Sequence, residues 1–254
     1  MAGCRAPHRS NCSRCWRHAR DPLLFARCVS VAAAIVACAH SAGTQAARPF
    51  VTDDARIVNS GGCQIESFVK RQRRHQEDEI GFLAGCAPVA MVELTLGGVR
   101  TDSAEEGASN AAIAQAKTLL RTLRTNDFGL ALSLGATRLN PTGPVQQTGW
   151  APSLNVIGSL SLLNDNATLH ANLGSVRDRV LSRTRHTWGL GAEIVFNARL
   201  SGIVEAYGQE ADRPSRQLGL RFWLVPNRFQ VDGTLGSQSG GSRAWTSLGI
   251  RALF

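Results

Sequence analysis

Gln217-Leu-Gly-Leu-Arg-Phe-Trp-Leu-Val-Pro-Asn-Arg-Phe-Gln-Val-Asp-Gly-Thr-Leu-Gly236 holds two runs that alternate with a period of two. Leu218, Leu220, Phe222 and Leu224 alternate with Gln217, Gly219 and Arg221; Phe229, Val231 and Leu235 alternate with Gln230, Asp232, Thr234 and Gly236. Successive side chains of a strand point to opposite faces, whereas a helix repeats every three to four residues, so both runs read as strands. Pro226-Asn227 between them is turn chemistry. The unit is a hairpin with one apolar and one polar face.

The same reading extends over most of the chain. Leu154, Val156, Leu160 and Leu162 alternate with serine and asparagine, and Leu248, Ile250, Ala252 and Phe254 alternate with Ser247, Gly249 and Arg251. Strands are expected over 63–72, 78–86, 89–101, 111–124, 127–140, 149–163, 166–178, 184–197, 199–211, 214–225, 228–238 and 243–254. A tilted strand needs about 9–11 residues to cross a bilayer core. Period two alone also fits a soluble sandwich, so the connections carry the choice. Tight ones (Ala87-Pro88, Thr125-Asn126, Asn164-Asp165, Asn197-Ala198, Pro226-Asn227) alternate with polar, longer ones (73–77, 102–110, 141–148, 179–183, 212–213, 239–242). Short turns on one rim, longer loops on the other and an even strand count match an outer-membrane barrel. The expected fold is all-β: a transmembrane, antiparallel, up-and-down barrel of about twelve strands.

Aromatic side chains agree with this. On the outward parity, Phe128, Phe196, Phe229 and Phe254 fall near the short-turn rim, and Trp150 and Trp188 near the long-loop rim. The opposite parity carries Glu66, Glu93, Lys117, Arg121, His170, Glu193, Glu205, Arg221, Asp232 and Arg251. An Arg or Lys facing hydrocarbon at the midplane would cost about 2–4 kcal/mol, so these residues are expected to line the lumen. They read either as a structural lattice of ion pairs or as the selectivity lining of a solute path. Strand 111–124 is ambiguous, because Leu119 and Leu123 share parity with Lys117 and Arg121. Eight strands leave an interior just filled by side chains and sixteen leave a water channel; twelve lies between. The stretch Arg48–Gly62 is the free segment that could plug it.

The N-terminal region has a different character. Residues 1–47 hold six arginines against Asp21, a net +5, which leaves +4 of the chain's +9 for the rest. No basic run with interleaved aromatics follows, so nucleic acid is excluded as a partner. The apolar run Val29–Ala39 is too short to span a membrane. Basic residues before it and Thr44-Gln45-Ala46 after it read as a signal peptide cleaved after Ala46 or Ala47. The expected organisation is a leader over 1–46, a periplasmic segment over 47–62 and a barrel over 63–254, destined for the outer membrane. Cys12-Ser-Arg-Cys15 lacks the second ligand pair a zinc site needs, and no metal or cofactor is expected.

Beyond the leader only Cys63 and Cys86 remain. In an antiparallel hairpin, paired positions have a constant index sum. The loop centre near 74–75 gives about 149, and 63 plus 86 is 149, so the two thiols are expected to face each other and form a disulfide. An enzymatic reading is weak. His170 shares its side of the wall with Ser133, Ser159 and Ser161, but no GxSxG elbow or HExxH stretch appears. Gly189-Leu-Gly191 lacks the third glycine of a dinucleotide loop.

Arg48-Pro-Phe-Val-Thr-Asp-Asp-Ala-Arg-Ile57, Glu66-Ser-Phe-Val-Lys70 and Glu93-Leu-Thr-Leu-Gly-Gly98 resemble the outer-membrane transporters of the MetA-pathway of phenol degradation family. The resemblance implies a porin-like barrel moving hydrophobic aromatic compounds or other solutes, with outer-membrane lipid as its surroundings and no catalytic residues. The terminal Phe254 resembles the signal read by the barrel assembly machinery. The expectation is therefore a porin-like channel for a small solute. The alternatives are a non-conducting structural or surface-interaction barrel, and a barrel hydrolase.

Overall fold

The computed structural model describes residues 50–72, 77–104, 107–141, 149–178, 183–210, 212–240 and 244–254; the leader and its cleavage site lie outside them. Twelve strands follow in chain order: β1 (Cys63–Gln72), β2 (Glu77–Val89), β3 (Val92–Ser103), β4 (Gly107–Arg121), β5 (Phe128–Pro141), β6 (Gly149–Leu162), β7 (Ala167–Asp178), β8 (Arg183–Asn197), β9 (Leu200–Gln209), β10 (Ser215–Val225), β11 (Phe229–Gln238) and β12 (Ala244–Leu253). Each pairs antiparallel with its neighbours in sequence, and β1 pairs with β12 to close the barrel. Closure leaves no free edge, the only way a sheet satisfies its backbone in lipid.

Burial is inverted relative to a soluble protein. Ile80, Phe82, Leu94, Leu96, Leu134, Leu173, Leu190, Leu218 and Ile250 are exposed on the outer wall, while Gln64, Glu193, Gln217, Arg221, Gln230, Asp232 and Arg251 are buried inside. An apolar exterior around a polar interior is stable only where the exterior solvent is itself apolar. Two inward rings lie over a glycine of a neighbouring strand. Phe68 pairs with Gly81 and Trp245 with Gly236. A Cβ at either glycine would come within 2.1 or 2.2 Å of the ring.

The first hairpin has the expected register. Gln72 opposes Glu77, Cys63 opposes Cys86, and the two cysteines form a disulfide with Cα atoms 4.1 Å apart. Both chain ends of the barrel meet at one rim, where Cys63 and Phe254 exchange backbone hydrogen bonds of 2.7 and 3.0 Å. We call this the terminal rim and the opposite one the distal rim.

The connections differ from the sequence expectation. Residues 90–91, 122–127, 163–166, 198–199 and 226–228 lie at the terminal rim, while β1, β3, β5, β7, β9 and β11 end at the distal rim. Length does not sort them cleanly, since 122–127 is longer than 104–106. The 102–110 loop is mostly zipped into the β3–β4 ladder, which runs out to Ser103 opposite Gly107; the glycine reverses the chain at φ 82°. Ala87-Pro88 is not a turn but part of β2, at a register shift between Cys86 and Val89. A bulge tolerates proline because the missing N–H breaks no ladder bond. The turn comes at Ala90-Met91, with Val89 opposite Val92.

Candidate functional site

Residues 50–59 do not join the wall but run inside it. From the terminal rim at Gly62 the chain enters the lumen, and the wall holds it by single side chains. Val58 N–H donates to Glu93 Oε2 at 2.8 Å. Ala55 N–H donates to Ser159 Oγ at 2.9 Å. Asp53 N–H donates to Asn172 Oδ1 at 2.7 Å, and Asn172 Nδ2 donates back to the Asp53 carbonyl at 2.8 Å. Val51 and Thr52 N–H both donate to the Glu205 carboxylate, at 3.0 and 2.7 Å. A lone strand in a lumen has no ladder to satisfy its backbone, and an unpaired buried N–H costs about as much as a lost hydrogen bond. Inward carboxylate, amide and hydroxyl groups on β3, β6, β7 and β9 replace that ladder.

Side chains complete the lock. Lys117 Nζ lies 2.8 Å from Asp53 Oδ1 and 3.5 Å from Asp54 Oδ1. Ala55 packs in a small apolar cluster with Ala131 and Ile157, against which Leu119 rests. Phe50 meets the His170 ring edge-on at 6.2 Å between centroids. Opposite the segment the wall is bare: a Cβ at Gly189 would sit 2.8 Å from Thr52 Oγ1, and one at Gly191 3.1 Å from the Phe50 ring. The Gly189-Leu-Gly191 stretch is thus clearance for the segment.

Beside the plug, toward the terminal rim, the lumen is crossed by buried ion pairs. Arg221 Nη1 binds Glu193 Oε2 at 3.0 Å and Nε binds Asp232 Oδ1 at 3.1 Å. Gln230 Nε2 donates to Asp232 Oδ2 at 2.7 Å. Arg251 Nε donates to Gln64 Oε1 at 2.8 Å and lies 3.5 Å from Glu66 Oε1. Gln64 in turn donates to Glu93 Oε1 at 3.1 Å, linking this lattice to the plug. Glu205 also accepts from Gln217, whose Oε1 accepts from Trp245 Nε1 at 3.1 Å. Toward the distal rim the interior opens into a vestibule of about 630 Å³, with Asp53, Arg56, Lys117, Gln115 and Asn155 among its lining.

Nine of the ten charged or titratable residues expected inside, Glu66, Glu93, Lys117, His170, Glu193, Glu205, Arg221, Asp232 and Arg251, are buried there. Glu93 and Lys117 belong to one network built around the plug. They are register partners, but the ammonium contacts the plug carboxylates, and Glu93 takes the Val58 N–H. Arg121 is the correction: it stands outside, exposed, paired with Asp127 at 2.7 Å and over the Phe128 ring at 3.8 Å. A bulge between Leu119 and Arg121 flips the parity, so Leu119 and Lys117 face the lumen and Arg121 faces out. His170 Nδ1 lies 2.9 Å from Ser159 Oγ, but that hydroxyl is buried beneath the Ala55 N–H. The plug's contacts carry no sequence period, so no pattern search would have found them.

A family model described as "Uncharacterised conserved protein UCP029691" matches residues 34–254. No curated protein matches the chain. Among solved structures the chain is similar to an outer-membrane channel from Pseudomonas putida F1, at TM-score 0.60 and 9% identity, covering 79% of this chain and 98% of that one. It is also similar to the NanC porin, at TM-score 0.58 and 6% identity, covering 74% and 98%. For the KdgM porin the values are 0.55 and 11%, again covering 74% and 98%. At such identities the likeness shows the fold alone, that of a porin-like outer-membrane barrel. The MetA-pathway resemblance is not carried by the matching family model.

Proposed function

We propose a function for this chain, which belongs to the family described as uncharacterised conserved protein UCP029691: it is an outer-membrane channel for small polar solutes, held shut by its own N-terminal segment. The observation that carries this reading is the plug. A twelve-stranded wall encloses more space than its side chains fill, and here residues 50–59 occupy it through bonds to five separate strands. A vestibule lined by distal residues such as Gln209, Asp212 and Gln238 reaches down past the segment to Glu93 and Arg251. Glycines at 189 and 191 make room for the segment, which supports a specific seat rather than a chance filling.

The vestibule floor offers Asp53, Arg56, Lys117, Gln115 and Asn155. These groups hydrate a polar solute and favour it over the hydrophobic aromatic compounds implied by the MetA-pathway resemblance. KdgM, captured with oligogalacturonate, supports the porin comparison without naming this chain's solute. Phe254, 72% exposed on the outer wall at the terminal rim, supports export through the barrel assembly machinery. One observation favours the non-conducting reading: the ion-pair lattice beside the plug also fills the lumen. The hydrolase reading lacks an open nucleophile, since Ser159 is 3% exposed and capped by the plug.

Planar-bilayer recording tests the proposal on three full barrels: wild type, Gly189→Val and a deletion of residues 50–58. The valine collides with Thr52, so this variant and the deletion are expected to conduct steadily while wild type stays mostly closed. A folded deletion barrel that does not conduct would turn the assignment to the non-conducting alternative. Equal conductance in all three would remove the gating role.

A further inference from the structure

The outer wall carries a pattern that the channel reading does not use. Five strands each place an arginine on the outward parity near the distal rim: Arg71 on β1, Arg100 on β3, Arg138 on β5, Arg177 on β7 and Arg216 on β10. Each stands one or two outward positions beyond the last apolar side chain of its strand, namely Val69, Leu96, Ala136, Leu173 and Leu218. The five therefore form a belt at the level where hydrocarbon gives way to headgroups. Among the described residues the belt's acids are Asp78 and Asp102 on one arc and Glu210 at the end of β9. Arg71 pairs with Asp78 at 3.1 Å and Arg100 with Asp102 at 2.9 Å. Arg138, Arg177 and Arg216 are exposed, and among the described residues no carboxylate lies within ion-pair reach of them.

Three unneutralised guanidinium groups above an apolar wall call for an anion at the membrane surface. Arginine presents a planar fork that binds phosphate through two parallel hydrogen bonds, and it loses less than lysine on leaving water. Strands about 4.8 Å apart put β5 and β7 roughly 10 Å apart around the wall. Trp150, exposed and directly opposite Arg138 in the ladder, supplies an amphipathic ring at the same level. An outer-membrane barrel turns the rim away from its termini to the cell surface, and the leaflet there is built of phosphorylated glycolipid.

We propose that the β5–β10 arc of this belt binds the phosphates of an outer-leaflet glycolipid, a bisphosphorylated acylated disaccharide, with the acyl chains against Leu134, Leu173, Leu190 and Leu218. The proposal rests on the outer-membrane reading. The arc is a lipid site on the outside of the wall and takes no part in gating.

The test uses the purified full-length barrel in detergent and titrates three probes: bisphosphorylated lipid A, its dephosphorylated form and phosphatidylglycerol. The variants are Arg138→Gln/Arg177→Gln/Arg216→Gln and the corresponding triple lysine. Bisphosphorylated lipid A should bind wild type best. A basic residue near an anionic lipid surface contributes roughly fivefold each, so the triple glutamine should lose about a hundredfold. The triple lysine, which keeps the charge and the fold, should lose less. Equal binding of phosphatidylglycerol, equal binding of the dephosphorylated form, or no loss in the triple glutamine would overturn the proposal. Conductance of the plug deletion, recorded separately, tests the channel reading alone, and combining that deletion with the triple glutamine should leave its conductance unchanged.

Discussion

The two halves of the lumen are built from the same twelve strands and behave as different materials. Near the terminal rim, Arg221, Glu193, Asp232, Arg251, Gln64 and Glu66 form a network in which Arg221 and Arg251 are each 1% exposed. Near the distal rim the inward pairs are looser. Lys70–Glu79 has about a quarter of each side chain exposed, and Arg185–Asp212 is open on the Asp212 side. The difference teaches where charge is structural. Where inward charges pair across neighbouring strands, the lattice replaces an apolar core. Toward the distal rim the interior is a vestibule. The plug lies between the two, tied to the lattice through Glu93 and Gln64 and facing the vestibule with Asp53 and Arg56.

Breaking the terminal half should have the largest effect. Removing one member of a buried pair strands its partner, at a cost of about 3–5 kcal/mol. Arg221→Met leaves both Glu193 and Asp232 uncompensated. Urea unfolding of the reconstituted barrel should show a loss in that range. A loss under about 1 kcal/mol, typical of exposed pairs, would mean the terminal half is as wet as the distal one.

The disulfide comes next. It closes a loop with a sequence separation of 23 at the terminal rim, beside the root of the plug. Gly61 N–H donates to the Ala87 carbonyl and Ala87 N–H to the Gly62 carbonyl, so the bond also pins the point where the plug enters. Cys63→Ala/Cys86→Ala should cost about 3 kcal/mol by chain entropy. If the plug's seat depends on its root, the same variant should flicker open in bilayer recordings. Unchanged stability would show that β1 pairing with β12 already supplies the constraint.

At the boundary between the halves, Lys117 is expected to couple to the plug rather than to the wall. A double-mutant cycle of Lys117→Met with Asp53→Asn should give about 1–2 kcal/mol, between exposed and fully buried pairs. The cycle of Lys117→Met with Glu93→Gln should give less. The reverse order would restore the wall pairing that sequence parity suggests and would loosen the plug's claim on the lysine.

Why the wall was legible in detail, and the plug only as a candidate stretch over Arg48–Gly62 with none of its contacts, follows from how each satisfies its backbone. A wall strand bonds to neighbours along its whole length, so its side chains alternate and leave a period in the sequence, as in 217–224 and 229–235. The turn residues then fix register, which is why 63 plus 86 located the disulfide. The plug bonds to isolated groups at Glu93, Ser159, Asn172 and Glu205, scattered over a hundred residues, and its own ten residues alternate nothing. Arg121 faces out for a local reason: one extra residue at Leu120 reverses every face after it, and the ambiguity that Leu119 lends to strand 111–124 does not locate the slip.

The smallest effect is expected where the wall has left the membrane, and it sharpens the contrast from the outside. Asp127, in the 122–127 turn of the terminal rim, is held below the usual carboxylate range, first by its hydrogen bond from Arg121 and then by the Phe128 N–H. A carboxylate whose folded pKa is depressed stabilises the fold above its ordinary pKa, near 3.9, and loses that contribution as pH falls through the lower folded value. Wild type should therefore exceed Asp127→Asn slightly and by a constant margin at neutral pH. The margin should shrink as pH drops below the ordinary carboxylate range and vanish once the folded group is protonated. The pair is solvent-exposed, so added salt should shrink the same margin at neutral pH. The Arg221 network, sealed from solvent, should show no such salt dependence. A margin at Asp127 that survives both acid and salt would place it in the same class as the buried lattice and erase the distinction between rim and lumen.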